Sequence, residues 1–204
     1  MQPGLGLRFG ALDERTVHLC VDAQRMFAEE TDWHTPWLRR ILPAIERIAA
    51  WQAHRTIFTR FVPAENAGAC TGTWRRYYER WPDMTLDRLP AGMVDLLPSL
   101  AARVPPARVF DKRTYSPWIE PGFAALLQGT EAVVVTGGET DVCVLATVLG
   151  AVDRGYRVVI AADAVCSSAD ETYDAMVTLY SSRFGEQIEI APTAEILDAW
   201  PATP

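Results

Sequence analysis

The chain has 204 residues, the size of one domain with one core. Its 49% hydrophobic and 22% charged residues are the balance of a soluble globular protein. A net charge of −7 with a pI near 5.0 argues against a nucleic-acid backbone or an anionic membrane as partner and for a small-molecule substrate. No apolar run reaches the length of a membrane span.

Elements follow in chain order. "TVHLCVD" (Thr16–Asp22) reads as strand 1: a short apolar run, rich in β-branched residues, that ends on an acid. "PWLRRILPAIERIAAWQAH" has Leu38, Ile41, Leu42, Ile45, Ile48 and Ala49 at helical spacing, with Pro43 expected to break the helix or restart it. "RTIFTRF" (Arg55–Phe61) reads as strand 2. The stretch from Val62 to Ala91 shows no clear element, although it holds Trp74, Tyr77, Tyr78 and Trp81 among Arg75, Arg76 and Arg80. Long aromatic loops in compact domains are usually functional. These rings either cover an interface or sheet edge, or line a substrate pocket.

"MVDLLPSLAARV" reads as a short helix and "ARVFDK" (Ala107–Lys112) as strand 3. "GFAALLQ" reads as a helix stopped by Gly129. "AVVVTGG" is strand 4, and its helix runs to Arg154, where Gly155 ends it. "RVVIAADA" is strand 5. Ser168 with Glu171 has the spacing of a capping box for a helix to about Ser182. "QIEIA" is strand 6 and "TAEILDAW" a last helix. Strands alternating with helices predict a three-layer α-β-α domain over residues 1–204, built on a six-stranded, mainly parallel sheet.

Ligands of open parallel sheets bind outside the carboxyl ends of the strands. Strand 1 delivers Asp22 there, strand 3 Asp111 and Lys112, and strand 4 the turn "TGGETD" followed by Cys143. A carboxylate, an ammonium and a thiol are the parts of a cysteine hydrolase: base, cation and nucleophile. A helix starting near Thr140 or Asp141 would put Cys143 in its first turn, where unsatisfied N–H groups favour thiolate, against the charge of Asp141. Taken singly, each residue has a bland reading: Cys143 as a small buried hydrophobe, Asp22 as a turn cap, Lys112 as a solvated lysine. Together, a buried acid and a buried cation account for each other.

Cys20, Cys70, Cys143 and Cys166 have no C-x-x-C spacing, and "MQPGLGLRFGALDERT" has no basic segment followed by an apolar one. Reduced thiols in a cytoplasmic protein are therefore expected, with neither disulfide frame nor zinc site. His18, His34 and His54 fall at no sheet carboxyl end, which leaves a Cys–His dyad unsupported. Neither G-x-G-x-x-G nor a phosphate-loop G-K-[ST] occurs.

"VHLCVDAQRMF", "FDKRTYSPW" and "VVVTGGETDVCVLATVLGAVDRGYRVVIAADAVCSS" resemble the three signature blocks of the isochorismatase-like cysteine hydrolases, across roughly Thr16 to Ser182. That family includes nicotinamidase, N-carbamoylsarcosine amidase and isochorismatase. The resemblance implies an Asp22–Lys112–Cys143 triad and a cis peptide at Gly138–Glu139, with the N–H groups of Glu139 and Cys143 as oxyanion donors. It also implies a homo-oligomer. Nicotinamidases carry a metal-binding D-x-H motif after strand 2. "FTRFVPAENAGACTG" has no histidine, so no metal and no cofactor are expected. Retention of Cys143 favours C–N hydrolysis through a thioester over vinyl ether hydrolysis with Asp22 as acid, or a binding protein without catalysis. Gln24, Phe27, Trp74, Tyr115 and Trp118 are the candidate pocket residues.

Overall fold

The computed structural model describes residues 6–202. Its strands are β1 (Thr16–Val21), β2 (Thr56–Phe61), β3 (Arg108–Lys112), β4 (Ala132–Gly138), β5 (Arg157–Cys166) and β6 (Ile188–Ala191). They form one six-stranded sheet in the order β3-β2-β1-β4-β5-β6, and every pairing is parallel. The chain builds outward from β1 to β3, then returns to lay β4 beside β1. That reversal opens a crevice at the carboxyl ends of β1 and β4.

The helices are α1 (Arg25–Ala28), α2 (Leu38–Trp51), α3 (Gly72–Arg80), α4 (Pro98–Ala101), α5 (Cys143–Val152), α6 (Asp170–Arg183) and α7 (Thr193–Ala199). Alternation along the central strands splits the core in two. Cys20, Phe58, Val134 and Val159 pack with Ile41, Ile45, Ile48 and Ile196 of α2 and α7. Leu19, Val21, Ile57, Val133 and Val135 pack with Val144 and Val148 of α5 and Tyr180 of α6. Each fully buried Leu, Ile or Val contributes about 1.5–3 kcal/mol, which is why the inner strands read as unbroken apolar runs.

His18 is a satisfied core histidine inside β1. Thr56 donates its hydroxyl to Gln52 O, so Thr56 Oγ1 accepts from His18 Nδ1 at 3.1 Å. Nε2 is then the acceptor for Thr136 at 2.8 Å.

Several local expectations change. Pro43 neither breaks nor restarts α2, which runs through it. Its ring is exposed, and the buried stripe Leu38, Ile41, Ile45 and Ile48 holds the helix on the sheet. The stretch 62–91 contains α3, and its rings at 74, 77, 78 and 81 follow the i, i+3, i+4, i+7 rule. The helix expected in "MVDLLPSLAARV" shrinks to the single turn α4, and "GFAALLQ" forms a 3-10 turn over Ala124–Leu127. No side chain caps α6 at Ala169. The Ser168 N–H that a capping box would donate to the Glu171 carboxylate goes to Glu139 Oε1 instead, at 2.9 Å.

Candidate active site

Three strand ends converge. Asp22 follows β1 with φ 51°, a left-handed conformation that aspartate tolerates better than most residues. Its N–H donates to Thr59 O at 3.2 Å, and the Thr59 hydroxyl donates to Asp22 Oδ1 at 2.6 Å. Close approach of β4 makes this bend possible. Gly137 lies against β1 with φ 103°, and a Cβ there would meet Val21 O at 2.0 Å.

Lys112 ends β3. It is the one buried residue of a strand whose other positions face outward or lie half-buried, and it is fully buried. Its Nζ lies 2.6 Å from Asp22 Oδ2, 3.0 Å from Thr114 O and 3.5 Å from Cys143 Sγ. The contact to Oδ2 is an ion pair by distance, and Oδ2 takes no well-angled hydrogen bond. Burial works against the Lys112 charge, but Asp22 and then Cys143 outweigh it and hold the ammonium above its usual range. Asp111, the neighbour of Lys112, turns to solvent and pairs with Arg60 at 2.7 Å.

Cys143 is the first residue of α5 and is 8% exposed. Burial pushes its thiol up. Lys112 pulls the other way, and Asp22 adds to the upward push by charge and by hydrogen bonding. Desolvation is the largest influence on the thiol, and it opposes whatever the first turn of the helix and Lys112 do for the thiolate.

The turn between β4 and α5 is tightly bonded. Thr140 N donates to Cys166 O at 2.8 Å, and Val142 N and Val144 N donate to Glu139 O at 3.1 and 3.0 Å. The Gly138–Glu139 peptide is cis. Neither the N–H of Glu139 nor that of Cys143 has an acceptor among the described residues. Glu139 Oε1 takes the Ser168 N–H and, at 3.4 Å, the Thr35 hydroxyl, which ties the turn to two neighbouring loops.

Above Cys143 opens a cleft of about 310 Å3. Gly138, Glu139 and Val142 form one side of it. Rings from four separate segments form the other: Phe27 and Trp33, Phe61, Tyr77 and Trp81, and Tyr115.

A family model for the isochorismatase domain matches residues 16–192. The chain belongs to the isochorismatase family. A secreted isochorismatase effector of Phytophthora sojae is 40% identical over 67 residues, 31% of this chain and 32% of that protein, so the match spans about a third of the curated relative. Among solved structures, a cysteine hydrolase from Pseudomonas syringae pv. phaseolicola aligns over 98% of both chains with a TM-score of 0.79 and 24% identity. Nicotinamidase from Bacillus subtilis aligns over 85% of this chain and 98% of its own, with TM-score 0.69 and 19% identity. N-carbamoylsarcosine amidase from Thermoplasma acidophilum covers 89% and 98%, with TM-score 0.69 and 17% identity. At these identities the likeness is one of fold.

Within this isochorismatase fold, Asp22, Lys112 and Cys143 meet, and Gly138 and Glu139 line the cleft beside them. Phe27 and Tyr115 line it too. The other three pocket candidates do not. Gln24 is fully buried and clamps β2 to the loop before α4: its Nε2 donates to Phe61 O and Val94 O, and its Oε1 accepts from Phe61 N. Trp118 lies on the far side of α5, stacked on Tyr156 at 5.6 Å, with Nε1 donating to Thr147 O. Trp74 stands behind the wall and supports Tyr115 at 5.0 Å and Tyr77 at 5.4 Å.

Several residues were missed. Trp33, Asp32 and His34 reach the cleft from the loop before α2, so one histidine does approach Cys143 although it follows no strand. That loop has no periodic signal to reveal it. Tyr77 and Trp81 stood at helical spacing, the one signal that could have revealed α3. Thr59 carried no mark beyond its place in β2. Among the described residues no three His, Cys, Asp or Glu side chains cluster closely enough to hold a metal ion.

Proposed function

We propose that this isochorismatase-family chain is a cysteine hydrolase that cleaves a C–N bond of a small amide, ureido or imide-like molecule through a thioester on Cys143. The observation that carries this reading is the buried contact set of Lys112, with Asp22 at 2.6 Å and Cys143 at 3.5 Å, beneath the cleft that Cys143 lines.

Asp22 Oδ2 has no other well-angled partner and takes the thiol proton as Sγ attacks the carbonyl carbon. A thiol held up by burial needs such a base. Lys112 keeps its ammonium beside the Asp22 carboxylate before the transfer and beside the Cys143 thiolate as it forms. The N–H groups of Glu139 and Cys143, without protein acceptors, receive the oxyanion, each worth about 3–4 kcal/mol in reactions of this type. Asp22 then returns its proton to the leaving nitrogen, and the C–N bond breaks to leave the thioester. Water loses a proton to Asp22 and attacks the thioester carbonyl. The C–S bond breaks, Sγ recovers the proton, and the acid is released.

Released ammonia or amine from a panel of primary amides, ureido acids and cyclic imides tests the reaction. Cys143→Ala is expected to abolish turnover, and a rate near that of the unsubstituted protein would sink the thioester route.

A further inference from the structure

The cleft wall carries the rings of Phe27, Trp33, Phe61, Tyr77, Trp81 and Tyr115. Five of them touch in a continuous set: Phe27–Trp33 at 6.2 Å, Trp33–Phe61 at 5.8 Å, Trp33–Tyr77 at 5.6 Å and Tyr77–Tyr115 at 6.5 Å. Burial pushes the Tyr77 and Tyr115 phenols up, so both rings stay neutral at neutral pH.

The charged side chains of the same wall are Asp32 and Glu139, with no arginine or lysine among the described lining residues. Neither carboxylate belongs to an ion pair among the described residues. Glu139 accepts hydrogen bonds from Ser168 N and Thr35 only, which leaves its charge uncompensated. Lys112 is already committed to Asp22 beneath the floor.

An anionic substrate would meet two carboxylates here and no lysine or arginine among the described lining residues. A neutral one would fill the aromatic wall and gain nothing from either carboxylate. A cation satisfies both, through the negative ring faces and through the carboxylates. Rings of this wall already attract cations: Lys112 Nζ sits 5.1 Å from the Phe61 centroid, and the Arg80 guanidinium 5.1 Å from that of Trp81. The volume of about 310 Å3 is at the small end of ligand pockets, which suits a compact head.

We infer that the cleft selects substrates whose non-reacting end is a compact organic cation, a quaternary or alkylated ammonium group. The inference rests on the proposed amide chemistry only for the reacting end.

The test uses three primary amides. Trimethylammonioacetamide is the cation, 3,3-dimethylbutanamide is its uncharged twin of the same shape, and succinamate is the anion. Calorimetric binding to Cys143→Ala separates recognition from reaction and from the effect of the ammonium on amide reactivity. The cation is expected to bind about tenfold or more tightly than its twin, the anion least well, and Asp32→Asn to narrow the gap severalfold. Equal affinities, or tighter binding of the twin or the anion, overturn the inference whatever the turnover.

Ammonia release by the unsubstituted protein reads the reaction separately. Hydrolysis of the twin without preference for the cation keeps the amidase and removes the cation site. Selective cation binding with no ammonia from any of the three keeps the cation site and removes amide hydrolysis. Quenching of tryptophan fluorescence by tetramethylammonium needs no variant. Saturation supports the inference, and a response that never saturates counts against it.

Discussion

Thr59 and Lys112 each hold one oxygen of Asp22, and the two contacts have different consequences. Thr59→Val removes the hydroxyl at 2.6 Å and leaves Oδ1 with one donor fewer in a dry site. The expected cost is about 1–3 kcal/mol of stability, with kcat falling more than KM rises if Asp22 is the base proposed above, since it loses its orientation. Urea unfolding and steady-state kinetics check this. Lys112→Met takes the cation from a carboxylate that is 1% exposed. Removing one partner of a buried pair costs about 3–5 kcal/mol, and activity should vanish with it. A Lys112→Met variant as stable as the parent would mean that the ion pair contributes little. Asp22, Lys112 and Cys143 were legible because chemistry-bearing residues stood at the ends of apolar runs. Thr59 was not, since a threonine inside a strand reads as a β-branched strand former.

The element scale decides what α5 does with its two faces. One end of the helix presents Cys143 to the cleft, while Gly150 near the other end lies under Trp118. A Cβ on Gly150 would come within 2.1 Å of the Trp118 ring. Gly150→Ala must therefore push Trp118 away from Tyr156 and Thr147, at a cost of about 1–3 kcal/mol, seen as a lowered melting temperature. Trp118→Phe is expected to lower stability without raising KM, because the indole faces the core. A rise in KM would restore Trp118 to the binding site. The same scale explains α3. With Tyr78 as its one buried residue, the helix has too narrow an apolar face to stand out among its arginines. The rings of α3 find their burial against Trp33, Phe61 and Tyr115, contacts that cross long stretches of sequence.

Across the whole molecule, His18 couples the sheet to pH. Burial between two threonine hydroxyls pushes its imidazole down to about 3 from 6.5, so the fold holds it neutral. As pH falls from 6.5 toward 3, the unfolded chain takes up a proton that the folded one refuses. Stability is therefore lost through that window, by about 1.4 kcal/mol per pH unit. Urea unfolding at pH 7 and pH 4.5 should show this slope, and His18→Asn should flatten it whatever its absolute stability. Lys112 acts at the other end: its raised value gives stability that is present below 10.5 and lost as pH rises beyond it.

The sequence by itself determined the alternation of strands and helices, the family, and the three residues Asp22, Lys112 and Cys143 that meet at and beneath the cleft floor. All of these follow from local periodicity or from short contiguous blocks. The tertiary structure decided the cleft wall, because Phe27 and Trp33, Phe61, Tyr77 and Trp81, and Tyr115 arrive from four separate segments and no local pattern records that they meet. It also decided which way Gln24 and Trp118 point. A side chain next to a strand end faces the site or the core according to what packs against it, and that depends on contacts distant in the chain.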